Sequence, residues 1–399
     1  MTPTRAREPI SFNRRFVPAR GPSRFLLGVI AAMGAIVLLG AFLAPRRVWP
    51  NVLVAAIYFL GLSLAGLLFL AIHYVTKAGW SVCVKRVAES VASTLPAAAG
   101  LILLMLCGMK VLYEWTDAAA VAADPLLDGK SGWLNAPFFI GRAFVFLAVW
   151  MVFGRELLRS SRRQDETGGL ASNRACTALS AAFLVAFAIT FSLASFDWLM
   201  SLQPIWYSTI FAVYNFAGSF VSGLAVITIT AIVLRRRGVL AGIVTDHHLH
   251  DLGKLLMGFT TFWIYIWFSQ YMLIWYGNLP EEVTYYQWRH TGAWAVLSAA
   301  NLLANWVIPF LVLLPRPAKH DESRLLQICA LLLVGRWLDL YLMVQPVFEK
   351  HAPVLGIWEI APVVGGGALF IFFLRRGLAA TNLVPVGDPY LKESLQHHQ

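Results

Sequence analysis

The sequence predicts an all-α, polytopic membrane protein of about ten transmembrane helices, and three observations carry that expectation. About ten apolar stretches, each near the roughly 20 residues that a membrane-spanning helix needs, are separated by short polar connections. Of the 399 residues, 58% are hydrophobic and 13% charged, whereas an ordinary soluble domain is about 25% charged. The net charge of +11 falls unevenly, with about 24 of the 32 Lys and Arg in alternate connections. That asymmetry fixes membrane orientation and excludes a nucleic-acid footprint. Hydrocarbon offers the backbone no hydrogen bonds, so stretches of this length must be helices.

Taken in order, the expected spans are 25–43, 51–75, 87–112, 136–157, 175–195, 204–234, 252–276, 288–314, 325–347 and 357–374. Residues 1–24 hold Pro3, Pro9, Pro18, Gly21 and Pro22 among six arginines, a segment too polar and broken to pack alone. It is expected to be a cytoplasmic tail, followed by a ten-helix domain over 25–376 and a second cytoplasmic tail over 377–399. The basic leader and the apolar run of the first span are longer than a signal peptide's, and no A-x-A site follows Leu43, so this span is expected to stay uncleaved. Connections with Lys77, Lys85 and Arg86, with Arg155, Arg159, Arg162 and Arg163, and with Arg235, Arg236 and Arg237 place both termini in the cytoplasm. The opposite connections hold Arg46, Arg47, Lys110, Lys130 and Lys350 beside acids such as Glu114, Asp124, Glu281 and Glu282. Between spans five and six, Pro204 is expected to open the next helix, with Trp198, Trp206 and Tyr207 at the interface.

No cofactor is expected to be bound by the chain itself. Cys83, Cys107, Cys176 and Cys329 form no C-x-x-C and no spacing that suits zinc or an iron-sulfur cluster. A bis-histidine haem needs two facing ligands at one depth. His73 lies near the inner end of span two and His290 near the outer end of span eight, while His247, His248, His250, His320 and His351 fall in connections. No phosphate-binding loop, nucleophile elbow or H-E-x-x-H appears.

Ionisable residues at membrane depth are the next signal, because each is expensive there unless paired. Arg336 and Asp339 are three apart on span nine and share a face. They read either as part of a proton relay or as an ion pair pinning two helices. Arg142 and Arg289 stand near the outer starts of spans four and eight, where either can anchor a carboxylate such as Asp197, Glu281 or Glu359. On the inner side, His73 and Glu89 are candidates for a proton half-channel, since histidine titrates near neutral pH. The turn DHHLHDLGK, 246–254, reads as a proton-collecting cluster or as a solvated helix start capped by Asp246 or Asp251.

Three strings are more specific than any of these features: FDWLMSLQPIWYSTIFAVYNFAGS (196–219), FSQYMLIWYGNLPEEVTYYQWR (268–289) and GRWLDLYLMVQP (335–346). They resemble the membrane subunits of bacterial alternative complex III, a quinol:electron-acceptor oxidoreductase. The match is to the ActF-type subunit, a quinone-binding subunit related to the NrfD-like one, and it covers the chain from the second span through the tenth. The resemblance implies two four-helix bundles, about 51–200 and 204–347, and a location in the bacterial inner membrane. It also implies partners: an NrfD-like quinol subunit, a multihaem cytochrome c and an iron-sulfur protein, which carry the haem c and clusters, with a terminal oxidase as a further candidate. The parallel direction of spans two and six, and the matching positions of Arg142 and Arg289, agree with a parallel repeat.

On that resemblance the chain is a subunit without a redox centre that conducts protons and contacts quinone. The relay candidates are His73, Glu89, Asp197, Glu281, Arg336 and Asp339, and the quinone contacts are Asp197, Tyr285, Arg289 and His290. A second reading is a structural anchor whose buried charges are fixed ion pairs. A third is a secondary transporter, against which no span reads as a short, Gly/Pro-broken helix.

Overall fold

The computed structural model describes residues 12–398, except the side chain of Thr167; the leader positions 1–11, with Arg5 and Arg7, and Gln399 lie outside the described residues. Seventeen α-helices and no strands occur among the described residues. The long rods are α1 (Arg20–Leu43), α2 (Pro45–Val75), a bent rod of α3 (Val82–Ala92) and α4 (Leu95–Leu106), α8 (Ala136–Thr167), α9 (Gly169–Trp198), α10 (Phe211–Arg236) and α11 (Asp246–Gly277). They continue with a rod of α13 (Gly292–Leu302) and α14 (Ile308–Leu313), then α15 (Glu322–Phe348) and α16 (Ile357–Ala379). Short helices α5 (Met109–Leu112), α6 (Ala118–Ala123), α7 (Pro125–Asp128), α12 (Pro280–Arg289) and α17 (Leu391–Leu395) lie in connections. Successive rods run antiparallel, so the molecule has a basic end, where residues 12 and 398 lie, and an opposite end.

Nine of these rods are long and apolar enough to cross a membrane. The tenth, α11, has 32 residues, which suffices in length, but its stretch FTTFWIYIWFSQYM trades aliphatic side chains for Trp, Tyr and Gln and is less apolar for that reason. The chain is a helical, membrane-embedded protein.

The centre is the parallel pair α2 and α10, buried along almost their whole apolar lengths. Gly61 and Ala65 on α2 meet Ser219 and Gly223 on α10, two small residues four apart on each helix. This spacing puts small side chains on one face and lets the backbones approach closely. A Cβ on Gly223 would lie 2.0 Å from the Ala65 Cβ, and one on Gly61 2.7 Å from the Ser219 hydroxyl. Around the pair, α2 packs on α3, α4 and α9, with α8 against α9, while α10 packs on α11 and α15, with α13 against α15. Helix α16 lies on α2, placing Gly366 on the Phe59 ring, and α1 lies outermost on α16.

Several expected boundaries are corrected. The third span breaks at Ser93–Thr94, where the two hydroxyls donate to the carbonyls of Ser90 and Val91 and Pro96 supplies no N–H. The eighth contains a π-helical segment, Leu303–Val307, just before Pro309. Interrupted spans are therefore present, contrary to the sequence expectation. Helix α10 opens at Phe211, because the preceding segment is held out of helix by Trp206, which stacks on Tyr285 at 4.1 Å and donates to the Glu282 carbonyl. Trp198 and Trp206 are buried, and of the three aromatics expected at the interface Tyr207 alone is exposed. His247, His248 and His250 sit on the first turns of α11, whose cap is Thr245, paired reciprocally with His248.

The segment after α16 folds back over the basic end. Leu383 donates its N–H to the Arg14 carbonyl, the Ser394 hydroxyl donates to the Trp80 carbonyl and accepts from the Cys83 N–H, and His397 meets Asp251 at 2.6 Å. It joins α3 to α11, the second rod of each half.

Replacing Gly223 by Leu forces α2 and α10 apart, with an expected loss of at least about 1–3 kcal/mol. Its melting temperature in detergent should fall well below that of Gly141→Leu, where nothing lies within 4 Å. Equal melting of the two variants would show that the α2–α10 contact does not organise the fold.

Candidate functional site

Three buried polar clusters stand out. The first centres on Asp339, fully buried on α15 about 26 Å from the start of that helix at 1.5 Å per residue. Arg336 Nη1 donates to its Oδ2 at 2.6 Å, one turn away on the same face. The Tyr214 hydroxyl and Asn301 Nδ2 (3.1 Å) donate to Oδ1, and Trp263 Nε1 lies 3.4 Å from Oδ2. Arg336 also donates to Asn215 Oδ1 and, at 3.1 Å, to the Ser219 hydroxyl, while Asn215 Nδ2 donates to Ser195 at 2.9 Å. The pair thus draws donors and acceptors from α10, α11 and α13, and α9 joins through the Ser195 contact with Asn215. Glycine makes the room: a Cβ on Gly218 would lie 2.5 Å from Arg336 Nη1, and one on Gly335 2.8 Å from Asn305 Oδ1.

A cavity of about 30 Å³ adjoins this hub, bordered by Asp339, Tyr214, Asn301, Tyr285, Arg289 and His290. That volume accommodates one or two water molecules. Among the described residues Arg289 holds no carboxylate, contrary to the sequence expectation. Its Nε donates to the Leu342 carbonyl at 2.8 Å and its Nη2 to the Met343 carbonyl at 2.7 Å. Pro346 explains the choice: it has no N–H, so the Leu342 carbonyl four residues before it loses its helical partner. The guanidinium supplies that donor and lies 3.5 Å over the Tyr285 ring.

In the first half, Arg142 occupies the corresponding place and does hold a carboxylate. Its Nε and Nη2 grip Asp197 at 2.6 and 3.0 Å, Trp133 Nε1 donates to the same carboxylate at 2.9 Å, and the guanidinium lies against both the Trp133 and Phe138 rings, 4.1 and 4.2 Å from their centres. Beside this pair, Trp133, Lys130, Met200, Ser201 and Tyr207 line a cleft of about 360 Å³, within the size range of small-molecule sites. Lys130 donates to the Pro204 carbonyl at 2.5 Å, and burial lowers its pKa below the usual lysine value.

The third cluster lies at the basic end. Glu89 accepts from Arg86 Nη1 at 2.5 Å and from the Ser161 hydroxyl at 2.6 Å; Arg86 also meets Asp165, and Lys85 meets Asp388 at 2.9 Å. Lys85 and Arg86, expected in a connection, are therefore inside α3 and buried. His73 Nδ1 lies 2.6 Å from the Phe69 carbonyl, and the ring borders a cavity of about 30 Å³ shared with Lys85, Asn173 and Asp388.

The structure thus brings together Arg336, Asp339, Tyr285, Arg289 and His290, and places His73 and Glu89 both at the basic end, with no contact between them among the described residues. Asp197 stands apart from both groups. Glu281 is exposed on a groove with Glu114, Asp124 and Lys350 and joins none of the three; Glu359 pairs with Arg47 at 2.8 Å. Sequence reasoning missed Tyr214, Asn215, Asn301, Asn305 and Gln270. Their signal was polarity within apolar runs: Asn301 and Asn305 are four apart in span eight, and Asn305 donates to Asn301 Oδ1 at 2.7 Å. Gln270 is buried on the face of α11 that carries Trp263, and its amide has no hydrogen-bond partner among the described residues. No cluster of three or more His, Cys, Asp or Glu suited to a metal ion occurs among the described residues.

No protein-family model matches the chain. No curated protein matches it either.

Arg142→Leu strands a buried carboxylate and is expected to destabilise the protein by about 3–5 kcal/mol, whereas Arg142→Leu combined with Asp197→Leu loses less. Equal losses in the two variants, read from denaturation midpoints in detergent, would contradict the pairing. Arg289→Met is expected to be partly rescued by Pro346→Ala, whose restored N–H serves the Leu342 carbonyl; the coupling should reach about 0.5–3 kcal/mol. Strict additivity in that double-mutant cycle would show that Arg289 does not compensate for the proline.

Proposed function

We propose that the chain is an integral membrane subunit of a quinol:electron-acceptor oxidoreductase of the alternative complex III type, which conducts protons and contacts quinone in the bacterial inner membrane. Both termini face the cytoplasm in this reading, since the basic connections gather at the end where they lie. Electrons travel through partner subunits that hold haem c and iron-sulfur clusters. The reading rests on the resemblance of the three strings together with one structural observation. The Arg336–Asp339 hub adjoins a water-sized cavity whose far wall is Arg289, His290 and Tyr285. A titratable group held at membrane depth beside such a cavity suits proton transfer toward the opposite end.

The cavity sizes divide the proposed roles. About 30 Å³ beside Arg289 and His290 is room for water, which supports a proton-path role for these residues and Tyr285. The 360 Å³ cleft beside Asp197 has room for part of a larger ligand, and Trp133 and Tyr207 give it aromatic faces suited to a quinone ring. At the basic end, Glu89 and His73 lie nearest the entry for protons.

A specific observation favours the anchor as a second reading: both oxygens of Asp339 are already engaged by Arg336, Tyr214 and Asn301. Asp339→Asn distinguishes the two. Under the first reading, the assembled complex retains its c-type haem absorbance but moves protons several-fold more slowly per quinol oxidised. Under the second, assembly falls while the assembled fraction keeps full activity. Normal assembly with normal proton movement would remove Asp339 from both, and purification of the chain without any haem-bearing partner would overturn the complex itself.

A further inference from the structure

Helix α8 continues to Thr167, well past the apolar stretch that ends near 157. On its overrun, Arg155, Arg159, Arg162 and Glu166 are spaced by four, three and four residues and so share one face. That face forms one wall of an open groove of about 1010 Å³, and the other wall is the bend between α3 and α4, at Ser93, Leu95 and Pro96. The groove has two chemistries along its length. Toward the bundle's middle it is apolar, floored by Met151, Val152, Gly154 and Leu158; toward the basic end it is lined by guanidiniums.

Some cations at this end are neutralised by acids of the chain itself, and these three arginines are not among them. Lys85, Arg86, Arg235, Arg236 and Arg324 each meet a carboxylate. Arg155, Arg159 and Arg162 make no ion pair among the described residues, and Arg162 Nε is buried without a hydrogen-bond partner. Glu166 is the sole acid among the described residues that line the groove. Three guanidiniums within about 10 Å of helix, at 1.5 Å per residue, therefore face the rim of a trough whose floor is hydrocarbon-like. Gly154 forms part of that floor, and a Cβ there would stand at contact distance, 3.4 and 3.5 Å, from the Leu95 and Leu67 side chains.

We propose that this groove is a binding site for one anionic phospholipid, its phosphate held by Arg155, Arg159 and Arg162 and its acyl chains laid along Met151, Val152, Leu158 and Pro96. Guanidinium forks match phosphate oxygens in geometry as well as charge. Basic pockets between membrane helices at the positively charged side recognise anionic headgroups on the same grounds. A soluble anion would leave the apolar floor unused, and a zwitterionic lipid would leave the excess positive charge uncompensated.

Native mass spectrometry of the full chain, released from mixed micelles of dioleoylphosphatidylglycerol and dioleoylphosphatidylcholine, tests the site. The unmodified chain should retain the phosphatidylglycerol in roughly tenfold preference. The triple variant Arg155→Gln, Arg159→Gln, Arg162→Gln should lose that preference. A charge-matched control, Arg15→Gln, Arg20→Gln, Arg237→Gln, at three exposed positions, should keep it. Equal loss in both triple variants would mean diffuse surface attraction, and no loss in either would place the lipid elsewhere; both outcomes overturn the site. Gly154→Leu fills the floor with all arginines present and should also weaken retention; unchanged retention in that variant would overturn the acyl-chain half of the proposal. Excess inorganic phosphate should leave the lipid bound, and displacement by it would assign the arginines to a soluble anion instead.

Discussion

Hydrocarbon cannot solvate charge, and the arrangement of this bundle follows from that constraint. Arg142, Arg289 and Arg336, buried among the described residues, are each answered by a carboxylate or by carbonyls near a proline-interrupted helix end. Arg142 takes Asp197, Arg336 takes Asp339 with Asn215 and Ser219, and Arg289 takes the carbonyls before Pro346. These contacts fix which rods are neighbours more specifically than apolar packing does, because one aliphatic face fits another nearly as well as it fits lipid.

The polar hubs are possible only because the backbones around them are close and bare. Small residues bring α2 against α10, and Gly218 and Gly335 vacate the volume that Arg336 and Asn305 fill. An ordinary side chain at either glycine would push the guanidinium or the amide away from its partners. The same economy of space explains why the cavity beside Asp339 is water-sized, whereas the cleft beside Asp197, bounded by the connection through Lys130 and Trp133, is more than ten times larger.

The two halves use the same layout for different ends. Arg142 and Arg289 each stand where the third rod of a half begins, and each reaches the far end of the fourth. In the first half the recipient is a carboxylate; in the second it is a proline-freed backbone. At the basic end, the last residues of the chain tie α3 and α11 together through Asp388, Ser394 and His397, so the halves are joined by polar contacts there and by small-residue packing at the centre.

Much of this was legible in one dimension. The number and length of the rods follow from apolar runs whose backbone has no partner but itself, and the Arg336–Asp339 pair follows from spacing along a single helix. The Arg142–Asp197 pair was legible only as one option among several, since the sequence offered Asp197, Glu281 and Glu359 to two arginines alike. Lys85 and Arg86 read as connection residues because carboxylates that neutralise them lie far along the chain, Asp388 for Lys85 and Asp165 for Arg86. Helix ends misled wherever a side chain captured backbone, as Ser93 and Thr94 do, or where stacking overrode propensity, as Trp206 on Tyr285 does. Sequence alone determined that the chain must be helical in lipid, because that is a local backbone requirement. Only the tertiary structure decided which charge answers which, because that depends on distances between rods that no spacing along the chain encodes.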